Sequence, residues 1–294
     1  MNILITGANS GFGKLIIADL VKAGHKTVGS MRDIDGRNAA AKEEFGAMGV
    51  DVVEIDVTDE DSVSAGVAAA TDKLGSIDVL INNAGVGAHG LQESFTAADF
   101  QRLFDINVFG VQRMVRAVLP DMRGRGDGLI LNISSLLGRV TLPFYGPYNA
   151  SKWALEAMTE NYRVELSQFG VDVTLVEPGG FPTRFFDNLL KPSTQDREAG
   201  YGEMAAAPKA ALEGFEEFLS ANPQQNPQLV AEAVTGVIAT RPGERPLRTE
   251  VDRIGMGEPI KAYNEHLGQV TTGIFTNLGI EGLLQLRTGE TEAA

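Results

Sequence analysis

The chain has 294 residues, enough for one large α/β domain or two small ones, and its 43% apolar content supplies a buried core. A net charge of −14 argues against nucleic acid and anionic membrane as partners, since clustered Lys and Arg hold phosphates, and the lack of cysteine excludes disulfides, a thiolate nucleophile and thiolate metal sites. No apolar run is long enough to span a bilayer, and Met1-Asn2-Ile3-Leu4-Ile5-Thr6-Gly7 has no charged region followed by a signal-peptide core, so a soluble, cytoplasmic protein is expected.

From the start to about Glu177, short β-branched apolar runs alternate with longer amphipathic stretches, the rhythm of βαβ units around a parallel sheet. Strands are predicted at Asn2–Thr6, Lys26–Met31, Asp51–Ile55, Val79–Asn82, Leu129–Ile133 and Asp172–Glu177. Helix-length segments lie between them at Gly13–Ala23, Glu60–Leu74, Ala97–Met122 and Tyr148–Phe169, with Thr58 and Thr96 as N-caps. Right-handed crossovers then put helices on both faces of a doubly wound α/β sheet. After Glu177 the rhythm breaks, and Lys191–Gly202 carries neither helical nor strand period. Helical periodicity returns in Ala207–Leu219 and Pro227–Ala239, a run near Pro246–Val251 adds a last strand for a total of six or seven, and Thr288–Ala294 reads as a frayed polar tail. Without a linker or a repeat, the expectation is a single domain over 1–294, in which 181–225 is a substrate-side insertion or lid.

The first strand is followed at once by Thr6-Gly7-Ala8-Asn9-Ser10-Gly11-Phe12-Gly13, which runs into the apolar helix Lys14-Leu15-Ile16-Ile17-Ala18. Glycines let the backbone turn sharply and approach a pyrophosphate, and a helix N-terminus offers free N–H groups and a positive dipole end. Strand, glycine turn and helix in succession point to a dinucleotide; the loop by itself also reads as a plain structural turn. The spacing departs from G-x-G-x-x-G and resembles the T-G-x-x-x-G-x-G of short-chain dehydrogenases.

Tyr148-Asn149-Ala150-Ser151-Lys152 opens a predicted helix, so Tyr148 and Lys152 lie one turn apart on one face. A carbonyl that receives hydride needs a proton, and a phenol donates or accepts one better beside a cation. Alone, a Tyr and a Lys at this spacing are more often a surface helix pair than a catalytic one. Upstream, Asn132-Ile133-Ser134-Ser135 closes the fifth strand at the sheet edge where α/β proteins bind ligands, thirteen residues before Tyr148. In order and spacing Ser135, Tyr148 and Lys152 resemble the signature of the short-chain dehydrogenase/reductase family, which implies a Rossmann-type fold. The resemblance implies that Ser135 bonds the substrate oxygen, Tyr148 is the general acid or base, and Lys152 holds the nicotinamide ribose and polarises Tyr148. Asn107 resembles the fourth catalytic member, which holds a water in a proton relay; it reads otherwise as a helix-kinking Asn.

The likeness runs from Met1 to Thr183. Asn82-Asn83-Ala84-Gly85 resembles the N-N-A-G segment, Asp56-Val57 the adenine-contacting pair, and Pro178-Gly179-Gly180-Phe181-Pro182-Thr183 the turn that holds the nicotinamide carboxamide. By this resemblance the cofactor-binding residues are Gly7, Asn9, Ser10, Gly11, Phe12, Gly13, Arg32, Asp56, Val57, Asn83, Ala84, Gly85, Tyr148, Lys152, Pro178, Gly179, Phe181 and Thr183. Met31 falls where an NAD-selecting acid sits and Arg32 where NADP-using members place a base, so NADP(H) is expected over NAD(H); Arg32 paired to Asp33 or Asp35 is the other reading. Family habit implies a homo-dimer or homo-tetramer.

Segments Gly87–Gly90, Leu136–Tyr145 and Phe181–Leu190 line the substrate cleft in this family. Here they carry Leu137, Leu142, Phe144, Phe181, Phe185, Phe186 and Leu189, which favours an apolar or aromatic carbonyl compound or alcohol, unless these side chains belong to core or an interface. Arg139 and Arg184 are the charges near the site that offer themselves to an acidic substrate. Two competing functions are an epimerase or dehydratase with bound dinucleotide and a non-catalytic NADP(H)-sensing regulator. A metal-dependent alcohol dehydrogenase is set aside, because His25, His89 and His266 are scattered and form no ligand cluster.

Overall fold

The computed structural model describes residues 1–288. The expected frayed tail, Thr288–Ala294, lies outside the described residues except for Thr288. Seven parallel strands form one sheet in the order β3-β2-β1-β4-β5-β6-β7. They are β1 (Asn2–Thr6), β2 (Lys26–Met31), β3 (Asp51–Glu54), β4 (Val79–Asn82), β5 (Gly128–Ile133), β6 (Val171–Pro178) and β7 (Arg248–Val251). The strand order reverses beside β1, so the Rossmann-type reading holds and a crevice opens at the carboxyl ends of β1 and β4.

Helices cover both faces. Helices α1 (Gly11–Lys22), α2 (Ala39–Ala47) and α8 (Gln228–Ala239) enclose one apolar core, which holds Ile3, Ile5, Ile16, Ile17, Phe45 and Val234. Helices α3 (Glu60–Leu74), α5 (Gly110–Arg125) and α6 (Gly146–Leu166) enclose the other, around Leu4, Leu80, Val67, Met114, Ile130 and Leu155. Burying each such side chain contributes about 1.5–3 kcal/mol, which makes these two layers the main source of stability. Strands β4, β5 and β6 are buried on both faces, and β4 and β5 accordingly read as nearly unbroken apolar runs.

The boundaries differ from the sequence expectation at instructive places. Asp59, not Thr58, caps α3 by accepting from the Ser62 N–H at 2.8 Å; the Thr58 hydroxyl instead donates to Asp56 at 2.8 Å. Thr96 does cap α4 (Ala97–Phe104), in a reciprocal box with Asp99. The single helix expected over Ala97–Met122 is broken by a π-turn at Asp105–Phe109 before α5 begins. That extra residue turns both Asn107 and Val108 inward. Helix α6 starts at Gly146, with Pro147 in its first turn.

Two helices were not anticipated. Helix α2 is short and weakly patterned, and α9 (Gly257–Leu278) buries only Ile260 and Asn264. Asp252 starts α9 by accepting four successive N–H groups, from Ile254 to Gly257. Segment Lys191–Gly202, aperiodic in sequence, is tied down by polar bonds. Asp99 accepts from the Ser193 hydroxyl at 2.7 Å, Thr194 donates to the Ser94 carbonyl at 2.9 Å, and Tyr201 donates to Glu93 at 2.9 Å. Helix α7 (Ala207–Ser220) follows and lies mostly exposed above the carboxyl ends of the strands. Among the described residues no helix is long and apolar enough to cross a membrane.

Candidate active site

Tyr148 and Lys152 head the buried stripe of α6 that continues through Leu155, Glu156 and Thr159. The helical period aims both at the end of β5. Lys152 Nζ donates to the Ile133 carbonyl at 2.8 Å and lies 5.7 Å from the centre of the Tyr148 ring. Burial pushes the Tyr148 phenol well above the ordinary tyrosine range, while the Ser135 hydroxyl beside it draws it down and the Tyr145 phenol adds to the rise. Burial also pulls the Lys152 ammonium down to about 8, against the Glu156 carboxylate one turn further along. Each group is thus displaced towards its neutral form by lack of solvent, leaving a proton donor and a cation poised within reach of each other.

Ser135 follows β5 and accepts from the Leu137 N–H at 3.1 Å, which starts a short 3₁₀ turn, Leu136–Gly138. The Asn107 side chain is fully engaged. It accepts from the Val86 N–H at 3.0 Å and donates to the Val86 carbonyl at 2.9 Å and the Ser151 hydroxyl at 3.1 Å. It therefore locks the strand end after β4 against α6, and its side chain has no hydrogen left for a further partner.

The glycine loop is shaped by close backbone approach. Gly7 sits at φ +67°, and a Cβ there would meet the Ala84 Cα at 2.8 Å. Asn83 donates to the carbonyls of Thr6 and Gly7 at 2.9 and 3.0 Å, and the Thr6 hydroxyl accepts from the N–H groups of Asn83 and Ala84. These bonds bind the loop to the segment after β4. The side chain of Ser10, the N-cap of α1, makes no capping bond, so the first turn of α1 keeps its donors free.

Two connected hollows result. A cleft of about 520 Å³ runs over Gly7, Asn9, Ser10, Gly11, Asn83 and Ala84 to Arg32, Asp56 and Val57. A cavity of about 320 Å³ holds Ser135, Tyr148 and Lys152 in its wall, together with Pro178, Gly179 and Phe181. Phe12, Asn83, Gly85, Val86, Thr183 and Phe185 border both. Gly85 keeps the junction open, since a Cβ there would lie 3.3 Å from Asn107 Oδ1, a tight contact, and 3.9 Å from Lys152 Nζ. The cleft therefore has the narrow, glycine-floored shape and free helix donors that a dinucleotide requires. Gly13 lies behind the loop instead of in the cleft wall, where a Cβ would strike the Gly7 carbonyl oxygen at 2.4 Å.

At the cleft's outer end Arg32 is half exposed and reaches Asp56 at 3.5 Å. Burial raises the Asp56 pKa, but bonds from Thr58 and the Arg32 charge outweigh it and leave the carboxyl below its usual range. Arg37 and Asn38, which the sequence reading did not select, line this end as well. The loop that carries them has Asp33 at φ +49°.

The cavity wall is mostly apolar, with Leu137, Leu142, Phe144, Phe181, Phe185 and Phe186 in place as expected. Phe215 and Ala211 of α7 and Met256 complete it and were not foreseen. Leu189 is absent from this wall; it packs where a Cβ on Gly87 would meet it at 2.4 Å. Neither arginine stands in the wall. Arg139 is turned behind α6, donating to Asn264 at 2.8 Å and sandwiched between Trp153 and Tyr263, because the 3₁₀ turn rotates it away from Ser135. Arg184 borders the dinucleotide cleft and faces Asp187 at 4.0 Å.

The short chain dehydrogenase family model matches residues 1–193. Homo sapiens retinol dehydrogenase 8 is 36% identical over 264 residues, covering 85% of this chain and 81% of the relative. A short-chain dehydrogenase from Streptomyces avermitilis superimposes with a TM-score of 0.74 at 29% identity, covering 94% of this chain and 97% of that one. A short chain dehydrogenase/reductase from Burkholderia phymatum in complex with NAD gives 0.73 at 28% identity, covering 89% and 91%.

Proposed function

The chain belongs to the short-chain dehydrogenase family, oxidoreductases that act on alcohol and carbonyl groups, and we propose that it transfers hydride between NADP(H) and an apolar or aromatic ketone or secondary alcohol. The observation that carries this reading is the meeting of Ser135, Tyr148 and Lys152 in one apolar cavity that opens directly onto the glycine-floored cleft. When bound, the nicotinamide supplies or accepts the hydride. The chain's own residues handle the oxygen. Ser135 and Tyr148 donate hydrogen bonds to the carbonyl oxygen, and Tyr148 gives up its proton as negative charge builds there. Lys152 stabilises the resulting phenolate from one helical turn away, and in the alcohol-oxidising direction Tyr148 takes the proton back. Asn107 acts by fixing Val86 and α6 in register, which sets the distance between Lys152 and the cleft.

Gly7, Ser10 and Gly11 are assigned to the pyrophosphate, Asp56 and Val57 to the adenine end, and Pro178, Gly179 and Thr183 to the nicotinamide end. The preference for NADP(H) rests on Arg32, half exposed with a single long ion pair, and on the buried Met31 where an acid would repel a 2′-phosphate. Arg37, in the same wall, adds a second positive charge. The apolar substrate follows from the cavity's phenylalanines and leucines, and the relative named for retinol acts on a substrate of that character. Segment 181–225 roofs the cavity through Phe185, Phe186 and Phe215, whose rings meet edge to face at 5.6 and 6.0 Å, and is assigned as its lid.

A fluorescence titration with NADPH and NADH, followed by aromatic and aliphatic ketones, tests the proposal. Tight NADPH binding with ketone-dependent oxidation is expected. Binding without turnover on any ketone or alcohol would move the reading to a dinucleotide sensor, and tighter NADH binding would reverse the cofactor assignment.

A further inference from the structure

The cavity beside Tyr148 carries a second polar side chain that proton and hydride transfer leave unused. His89 stands in its wall, only 8% exposed. Its backbone N–H donates to the Leu190 carbonyl at 3.1 Å, but among the described residues neither ring nitrogen has a hydrogen-bond partner. The imidazole is gripped edge-on by Tyr145 at 4.6 Å and Phe144 at 6.0 Å between ring centres. Phe144 is held at φ +70°, a left-handed conformation that costs a residue with a Cβ about 1–2 kcal/mol. The turn keeps it because the Gly90 N–H donates to the Phe144 carbonyl at 2.9 Å and Asn149 donates to the Leu142 carbonyl at 3.0 Å. Strain retained in this way clusters at ligand clamps.

Among the described residues, Lys152 is the sole Lys or Arg in this cavity wall, and the charge acting on Tyr145 is the Glu216 carboxylate of α7. An anionic substrate group would therefore find no counter-charge in this wall other than Lys152, which the hydride-transfer reading already uses. Burial lowers the His89 pKa, so near neutral pH the ring offers one N–H donor and one bare nitrogen acceptor. We propose that His89 selects substrates by a second, uncharged oxygen function, a hydroxyl or oxo group, carried on the apolar frame remote from the reacting carbonyl. This deepens the hydride-transfer reading and rests on it for the identity of the cavity. Gly85 lies beside Lys152, and the four residues from there to His89 reach at most about 13 Å, a span that a pair of linked six-membered rings can bridge.

The matched probes are 4-phenylcyclohexanone and 4-(4-hydroxyphenyl)cyclohexanone, which differ by one hydroxyl. Their kcat/KM values are compared with NADPH in the full chain, in His89→Phe, which keeps a ring for Tyr145 and Phe144 to pack on, and in His89→Gln, which keeps a donor and an acceptor. Calorimetric titration of both probes runs alongside. A neutral hydrogen bond is worth about 0.5–1.5 kcal/mol net, so the wild type should favour the hydroxylated ketone about two- to twelvefold, mainly through KM. That ratio should fall to about one in His89→Phe and survive in His89→Gln. Turnover of both ketones without preference, or a preference indifferent to His89, overturns the inference and leaves the reductase reading standing. Failure to reduce either ketone, with a calorimetric preference that depends on His89, supports the inference and counts against the reductase reading. No preference in binding overturns it.

Discussion

Replacing Tyr148 by Phe separates chemistry from folding. The lost hydroxyl has Ser135 beside it, and Ser135 retains its bond from the Leu137 N–H at 3.1 Å. The ring retains its edge contact with Phe185 at 5.5 Å. Deleting one hydroxyl in that setting should cost about 1 kcal/mol of stability or less, a shift of a few degrees in Tm. Removing a positioned general acid instead costs about 10²–10⁴ in rate, or roughly 3–5 kcal/mol of transition-state stabilisation. The assay follows the loss of reduced-nicotinamide absorbance at saturating ketone, with the NADPH Kd from fluorescence and Tm from a melting curve on the same samples. A variant that melts and binds NADPH like the parent yet turns over at least a hundredfold more slowly meets the expectation. Retention of more than about a tenth of the parental kcat would refute the role given to Tyr148.

Exchanging Met31→Asp together with Arg32→Ala should weaken NADPH about tenfold or more and tighten NADH, because a carboxylate replaces the cation at the 2′ position; equal losses for both cofactors would contradict the assignment. With Lys152 held down to about 8 by burial, its ammonium is lost as pH rises through that value, so kcat/KM for ketone reduction should decline above about pH 8. Glu156→Gln removes the carboxylate that opposes this shift and should move the decline to lower pH; an unchanged profile would show that Glu156 does not hold the Lys152 charge. Burial raises the Asp99 pKa, but bonds from Ser193 and Thr96 outweigh it and hold the carboxyl at about 2, below its unfolded value of 3.8. Its stabilising contribution is therefore complete above about pH 4 and fades as pH falls towards 2, readable as a Tm that drops over that window and drops less in Asp99→Asn. Asp99→Asn should also speed proteolytic cleavage within 191–202, which Ser193 anchors. Cleavage at the parental rate would show that the anchor is elsewhere.

Much of the fold was legible in the chain itself. Buried parallel strands read as short β-branched runs, and Asn2–Thr6, Lys26–Met31 and Val79–Asn82 match to the residue because their chemistry is local. The glycine loop, Ser135, Tyr148 and Lys152 could be found for the same reason: each stands at an element end set by its own neighbours in sequence. Helices α2 and α9 escaped, since α9 buries two residues and is started by Asp252 from outside the helix. The π-turn at Asp105–Phe109 has no signature in a helical period that continues on either side of it.

What the chain determined alone is the succession of strands and of most helices along it, the glycine loop, and the pairing of a phenol with a lysine one turn on. Tertiary structure decided which distant groups face the site. Phe215 and Met256 reach the cavity from far along the chain, and Leu189 misses it by packing against Gly87. Arg139, four residues from Ser135, ends on the other side of α6, while His89, set aside as a scattered histidine, stands in the wall with no hydrogen bond to its ring among the described residues. The reason is physical: backbone pattern and helical spacing are set within a few residues, whereas a cavity wall is defined by the space that elements leave when two cores close on one sheet.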